Sequence, residues 1–160
     1  MRLFAIMMAL HEVQGAFGMT ANENKQLMEK LLAGVARGER DPLLQAMADD
    51  VTMCVTGQNS WSQTFRGKAS LLRDLHGHLR TLLAEPRRTI PFRFIADGDY
   101  VVVEARGDMV TKDGVRYDND YCLVYRLDNG KIVEIREYLD STMCERVLGK
   151  FPAPDTPAAV

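Results

Sequence analysis

Glu137 is the residue whose type and setting point most directly to chemistry. It stands in the run Lys131 to Leu139, where alternation along a strand puts Val133, Ile135, Glu137 and Leu139 on one face and Glu134, Arg136 and Tyr138 on the other. A carboxylate among aliphatic side chains loses water, and its proton affinity rises toward the range a general acid or base needs. The preceding run, Arg116 to Leu127, sends Asn119, Tyr121, Leu123, Tyr125 and Leu127 to one face. An amide and a phenol there would orient an enol, carbonyl or hydroxyl group beside Glu137. The plainer alternatives are a rim carboxylate paired with an arginine, and tyrosines that only pack.

Trp61, in the loop before a leucine-rich helix, is placed either as a lid over a cavity mouth or as an aromatic staple between loop and core. Phe92 alternates with Phe94 toward the core and is read with Ile135 as wall of the same cavity. His76 and His78 sit two apart on that helix, a spacing that turns them to nearly opposite sides, whereas helical metal pairs use three or four. No metal site and no cofactor is expected from this ligand supply. Cys54, Cys122 and Cys144 form neither an even set nor a Cys-x-x-Cys pair, and read as reduced thiols in a cytoplasmic protein.

The elements that must position these groups are legible from period and punctuation. Thr20-Ala-Asn-Glu is a capping box, after which Leu27, Met28, Leu31, Leu32 and Val35 recur at helical spacing up to Gly38. Asp41-Pro42 opens a short second helix, and Val51 to Thr56 reads as a strand. Leu71, Leu72, Leu75, Leu79, Leu82 and Leu83 mark a third helix that stops before Pro86. The period then changes to two. Thr89 to Ala96, Tyr100 to Val110, Arg116 to Leu127 and Lys131 to Leu139 form a meander of antiparallel strands, with Asn129-Gly130 as a hairpin turn.

Helices first and a sheet afterwards is an α+β pattern: a cone-shaped, curved antiparallel sheet wrapped around three N-terminal helices. The 160 residues suit one domain, divided into a flexible leader over 1–19, the folded domain over 20–150 and a flexible tail over 151–160. A short signal peptide or a start at Met19 are the alternatives for the leader. With 20 basic against 22 acidic residues and a net charge of -2, the chain has no basic field for nucleic acid. No apolar run has bilayer length, so no membrane span is expected.

The run Asp113-Gly114, Tyr117, Asn119, Tyr121, then Asp-Asn-Gly-Lys-Ile and Arg136-Glu137-Tyr138-Leu139-Asp140 resembles the SnoaL-like branch of the nuclear transport factor 2-like superfamily. Ala48-Asp49-Asp50-Val51 and Phe65-Arg66-Gly67-Lys68 extend the likeness over about Asn22 to Leu148. The resemblance implies a cystatin-like roll with a deep apolar cavity and a homodimer formed through the outer sheet face. Against ketosteroid isomerases, the catalytic positions fall at Val55, Leu31 and near Tyr121 or Leu123, so their base and oxyanion groups are missing.

Limonene epoxide hydrolases are more similar, through an Arg-x-Asp pair and an Arg-Asp-Tyr-Phe-Asp run. This chain has Arg106-Gly107-Asp108 and Arg136 to Asp140. The resemblance implies Glu137 as the base that activates water, Asp108 as the acid and Arg106 as the bridge between them, although Met53 and Val55 replace the water-assisting tyrosine and asparagine. Alternation opposes this, because Val101, Val103, Ala105 and Met109 take one face and Glu104, Arg106 and Asp108 the other. Only a bulge near Gly107 would re-aim them.

The sequence therefore supports a SnoaL-like protein that holds an apolar or cyclic small molecule. Its chemistry would be that of an acid/base isomerase, cyclase or epoxide hydrolase of polyketide- or terpenoid-like substrates. The alternative is a non-catalytic small-molecule-binding or dimeric interaction module.

Overall fold

The computed structural model describes residues 18–152. The leader up to residue 17, with its signal-peptide alternative, and the tail from residue 153 lie outside the described residues.

Helix α1, Ala21–Ala36, starts as its capping box dictates. Thr20 Oγ1 accepts from the Glu23 amide at 3.3 Å, and Glu23 Oε2 accepts from the Thr20 amide at 2.8 Å. Its buried stripe of Met28, Leu31, Leu32 and Val35 turns inward, and the helix packs on the sheet. Helix α2, Asp41–Ala46, carries proline in its first turn and runs directly into strand β1, Met47–Val55. Strand β2, Thr64–Arg66, is a short addition that its three residues did not reveal.

Helix α3 covers residues 68–82 as Lys68–Ser70, a π-wound stretch Leu71–His76, and Gly77–Leu82. Strands β3, Arg88–Asp97, β4, Tyr100–Asp108, β5, Asp120–Asp128, and β6, Lys131–Leu139, form the expected meander. Asn129 and Gly130 both have positive φ in the β5–β6 turn, as a tight hairpin with matching twist requires. Helix α4, Ser141–Leu148, was not foreseen beyond the last strand; Asp140 caps it by accepting from the Thr142 and Met143 amides.

The six strands run in the order β2-β1-β6-β5-β4-β3, with β1 parallel to β6 and the other pairs antiparallel. The fold is α+β, a curved unclosed sheet with helices against one face. Among the described residues, no helix is long and apolar enough to cross a membrane.

Two irregularities of register decide which side chains face inward. On β3 the pairing with β4 slips between Pro91 and Arg93, leaving Phe92 as the extra residue. The inward set therefore changes from Thr89 and Pro91 to Phe94 and Ala96. Phe92 itself is 65% exposed, which corrects its expected place in the cavity wall. On β6 a slip opposite Arg126 and Leu127 makes Ile132, rather than Val133, the buried residue at the strand's start.

Candidate functional site

The sheet, α1, α2, α3 and α4 enclose a cavity of about 130 Å³. A cavity of roughly 150 Å³ is enough for one benzene ring, so the space here is on the scale of a single ring. Leu32, Val35, Met53, Val55, Leu75 and Leu123 supply much of an aliphatic wall. Glu137, Arg40, Arg87 and His76 interrupt it.

The sheet register explains the isolation of Glu137. Its direct neighbours are Leu123 on β5 and Val55 on β1, so no polar side chain stands opposite it. Tyr121 and Tyr125, paired with Leu139 and Ile135, are its diagonal neighbours on the same inward face. By accessible area Glu137 is half-buried, the open part being the part that borders the cavity, while the density of protein around it is that of a fully buried group. The surrounding density governs its charging energy, because protein atoms replace most of the water around the carboxyl. Burial pushes its pKa up to about 7, and the Arg40 guanidinium opposes that rise. Its carboxyl has no hydrogen-bond partner among the described residues.

Arg40 lies at the start of α2 and reaches Glu137, Tyr121, Tyr125 and Arg87 through its field. Its Nε and Nη2 both donate to the Arg87 carbonyl, at 3.1 and 3.0 Å. Burial, and then the Arg87 charge, hold Arg40 below the usual arginine range. Arg87 is 6% exposed and gives its Nε to Glu85 at 2.8 Å. Burial, with Arg40, Arg87 and Arg80, lowers His76 to about 4, so it is a neutral imidazole at pH 7. Burial, followed by the Glu137 charge, raises the Tyr121 and Tyr125 phenols, which stay protonated donors.

The expected residues divide sharply. Glu137, Tyr121, Trp61 and Ile135 line one cavity. Trp61 is both wall and staple: its indole donates to the Gly149 carbonyl at 2.7 Å, and its ring meets Phe151 edge-on at 4.9 Å. Asn119 is fully buried but spent on structure. Its Nδ2 donates to the Asp140 carbonyl at 3.0 Å and to the Tyr117 hydroxyl at 3.1 Å, while its Oδ1 accepts from the Asp140 amide at 3.0 Å.

Arg106 and Asp108 are not brought to the cavity. The β3–β4–β5 register is regular around Gly107, so no bulge turns them inward. Arg106 sits 3.7 Å from Asp120, and Asp108 pairs with Arg116 at 2.7 Å and Arg88 at 3.6 Å, all on the outer face. Gly107 has a different purpose, since a Cβ there would lie 3.2 Å from the Tyr117 carbonyl oxygen and 3.3 Å from the Asn119 amide nitrogen. Its bare backbone lets the 117–119 segment cross closely.

Arg40 and Arg87 escaped sequence reading. With Phe92 and Phe94 taken as the inward phase of β3, Arg87 falls outward; the bulge at Phe92 reverses that phase for the first half of the strand. Arg40 precedes a helix and carries no periodic signal. Among the described residues, no group of three or more His, Cys, Asp or Glu side chains is arranged to hold a metal ion.

No curated protein matches this sequence. Several solved structures resemble the chain. An NTF2-like protein of unknown function from Burkholderia pseudomallei is 23% identical, with a TM-score of 0.67 over 78% of this chain and 96% of its own. TerC, co-crystallised with polyporic acid, is 22% identical, with a TM-score of 0.66 over 78% of this chain and 97% of its own. A protein named as a SnoaL-like polyketide cyclase, from Jannaschia sp. CCS1, is 16% identical, with a TM-score of 0.65 over 86% of this chain and 99% of its own. These likenesses establish the fold. The model of the SnoaL-like domain matches residues 28–135, from the middle of α1 to the centre of β6, and the chain belongs to that family.

Proposed function

We propose that the protein binds a small cyclic, largely apolar molecule and that Glu137 moves a proton on it as a general base. One observation carries this reading: a carboxyl without a hydrogen-bond partner among the described residues stands in the wall of an aliphatic cavity. With a pKa of about 7, it is present in both protonation states near neutrality. It can take a proton from a carbon next to a carbonyl, leaving the electron pair on the carbonyl oxygen as an enolate, and return the proton to a different atom. Tyr121 and Tyr125, and the Arg40 guanidinium, are the candidates to stabilise that oxygen. The names of two structural neighbours, a polyketide cyclase and a protein crystallised with polyporic acid, fit a cyclic oxygenated ligand.

The test is isomerisation of 3-cyclohexenone to its conjugated isomer, followed by absorbance. The wild-type rate constant should rise with pH through about 7 as Glu137 loses its proton, and Glu137→Gln should lower it by roughly 10²–10⁴-fold. Equal rates in the two proteins would remove Glu137 as the base.

A second reading, a non-catalytic binding module, has its own support in Asn119, whose amide is spent on Asp140 and Tyr117 rather than offered to a ligand. Homodimerisation through the outer sheet face belongs to the same reading, on the evidence of exposed Ile95, Tyr100 and Tyr138.

A further inference from the structure

The cavity's two guanidiniums have more donors than the protein uses. Arginine carries five N–H groups. Arg87 gives Nε to Glu85, while its two terminal nitrogens, on a residue only 6% exposed, have no acceptor among the described residues. Neither nitrogen is sealed from a water-sized space, because among the described residues the sealed side-chain atoms without a partner are Asn24 Oδ1 and His78 Nε2. Arg40 spends Nε and Nη2 on a single carbonyl, and its Nη1 is likewise without an acceptor. Both residues line the cavity.

Two like charges side by side in a site mostly walled by carbon are costly unless an anion joins them. The described residues supply little compensation. Glu85 meets Arg87 from the protein surface, its own side chain 60% exposed, and Glu137 makes no hydrogen bond to either guanidinium. His76, beside them, is neutral at pH 7 and adds a ring N–H rather than a charge. The remaining titratable groups in the lining, Tyr117, Tyr121, Tyr125 and Cys144, are all held in their neutral forms by burial.

We propose that the Arg40–Arg87 end of the cavity is an anion subsite, and that the molecule the cavity takes is a one-ring carboxylic acid, its ring against the aliphatic wall and its carboxylate on the two guanidiniums. The inference rests on the reading of this cavity as a small-molecule site and adds the chemical class of the ligand. The free terminal N–H groups suit a planar carboxylate, which accepts two parallel bonds from one guanidinium. The volume of about 130 Å³ limits the apolar part to a single ring unless the walls move.

Calorimetric titration at pH 7 with benzoate and with benzamide, its neutral isostere, tests this on the full chain. Benzoate should bind the wild type at least roughly tenfold more tightly, the worth of a charge-assisted hydrogen bond. Arg40→Met and Arg87→Met should each erase that preference, lowering benzoate affinity by at least roughly tenfold more than they lower benzamide affinity, and Arg40→Lys should keep part of it. The wild-type comparison stands even if a variant fails to fold. Equal affinity for the two probes, or a benzoate preference that survives in both methionine variants, overturns the anion subsite while leaving the cavity as an apolar site. Binding of neither probe overturns the subsite and the small-molecule reading together.

Discussion

The two faces of the same sheet treat the same kinds of charge in opposite ways. On the outer face, carboxylates and guanidiniums sit opposite one another in water: Glu104 with Arg93 at 2.6 Å, Asp108 with Arg116 and Arg88, and Glu134 with Arg126 and Arg136 at 3.3 and 3.1 Å. On the inner face, Glu137 has leucine and valine opposite it, and the two cavity arginines keep terminal N–H groups with no acceptor among the described residues. Pairing holds Asp108 below the ordinary carboxylate range; isolation pushes Glu137 up to about 7. The same functional group is thus ion-paired and held below its ordinary range on one face and unpaired and raised to about 7 on the other, and the difference comes from neighbours one strand away.

The strongest way to break that contrast after catalysis itself is through stability. Glu137 holds its proton in the folded state up to about pH 7, whereas its ordinary value is 4.5. Between those values the unfolded chain has already lost the proton, so folding must retain one, and stability falls as pH rises through the window. The difference of about 2.5 units corresponds to about 3 kcal/mol, at 1.36 kcal/mol per unit. Glu137→Gln, neutral at every pH, should therefore be more stable than wild type by up to about 3 kcal/mol at pH 8 and indistinguishable from it near pH 4. Urea denaturation at both pH values measures this, and parallel pH profiles for the two proteins would show that Glu137 is not desolvated.

Asn119 sharpens the contrast differently, because it lies on the inner face yet is fully engaged. Asn119→Ala would leave the Asp140 amide and carbonyl without their side-chain partners at the point where β6 turns into α4. The expected cost is about 1–3 kcal/mol, from the hydrogen bonds lost at Asp140 and from the buried Tyr117 hydroxyl left without the Asn119 donor. Loss of α4's seat should also loosen Cys144 and Leu148 from the cavity wall, read as faster amide exchange in Ser141–Leu148. A small stability change would mean that Asn119 is free to serve a ligand after all.

These particulars explain what was legible beforehand. Capping, leucine spacing and the Asn129-Gly130 turn are local signals, and they located α1, α2, α3 and the meander. Glu137 was visible because alternation on β6 is regular from Glu134 onward. Phe92, Arg87 and Val133 were misplaced or missed for one shared reason: a bulge reverses the facing of everything before it, and its position is set by pairing with a distant strand. The Arg106-Gly107-Asp108 likeness misled in the opposite way. There alternation held, and a motif match suggested an inward turn that the register does not make. Arg40 was invisible because its place depends on α2 folding over the sheet, which no period records.

The smallest expected effect tests the outer face. Arg106→Ala and Asp108→Asn remove members of an exposed ion-pair row, where water and salt already screen the charges and the long side chains gain freedom when released. Each should leave the melting temperature within about 2 °C of wild type. Each should also leave cyclohexenone turnover and the benzoate preference unchanged, because neither side chain reaches the cavity. A large loss of turnover in either variant, with the melting temperature intact, would move the chemistry to the outer face and return Arg106 and Asp108 to the acid and bridging roles that the epoxide hydrolase likeness implied. The outcome separates the two faces because Glu137→Gln is expected to do the reverse: alter turnover strongly, and change stability only above the pH at which an ordinary carboxyl ionises.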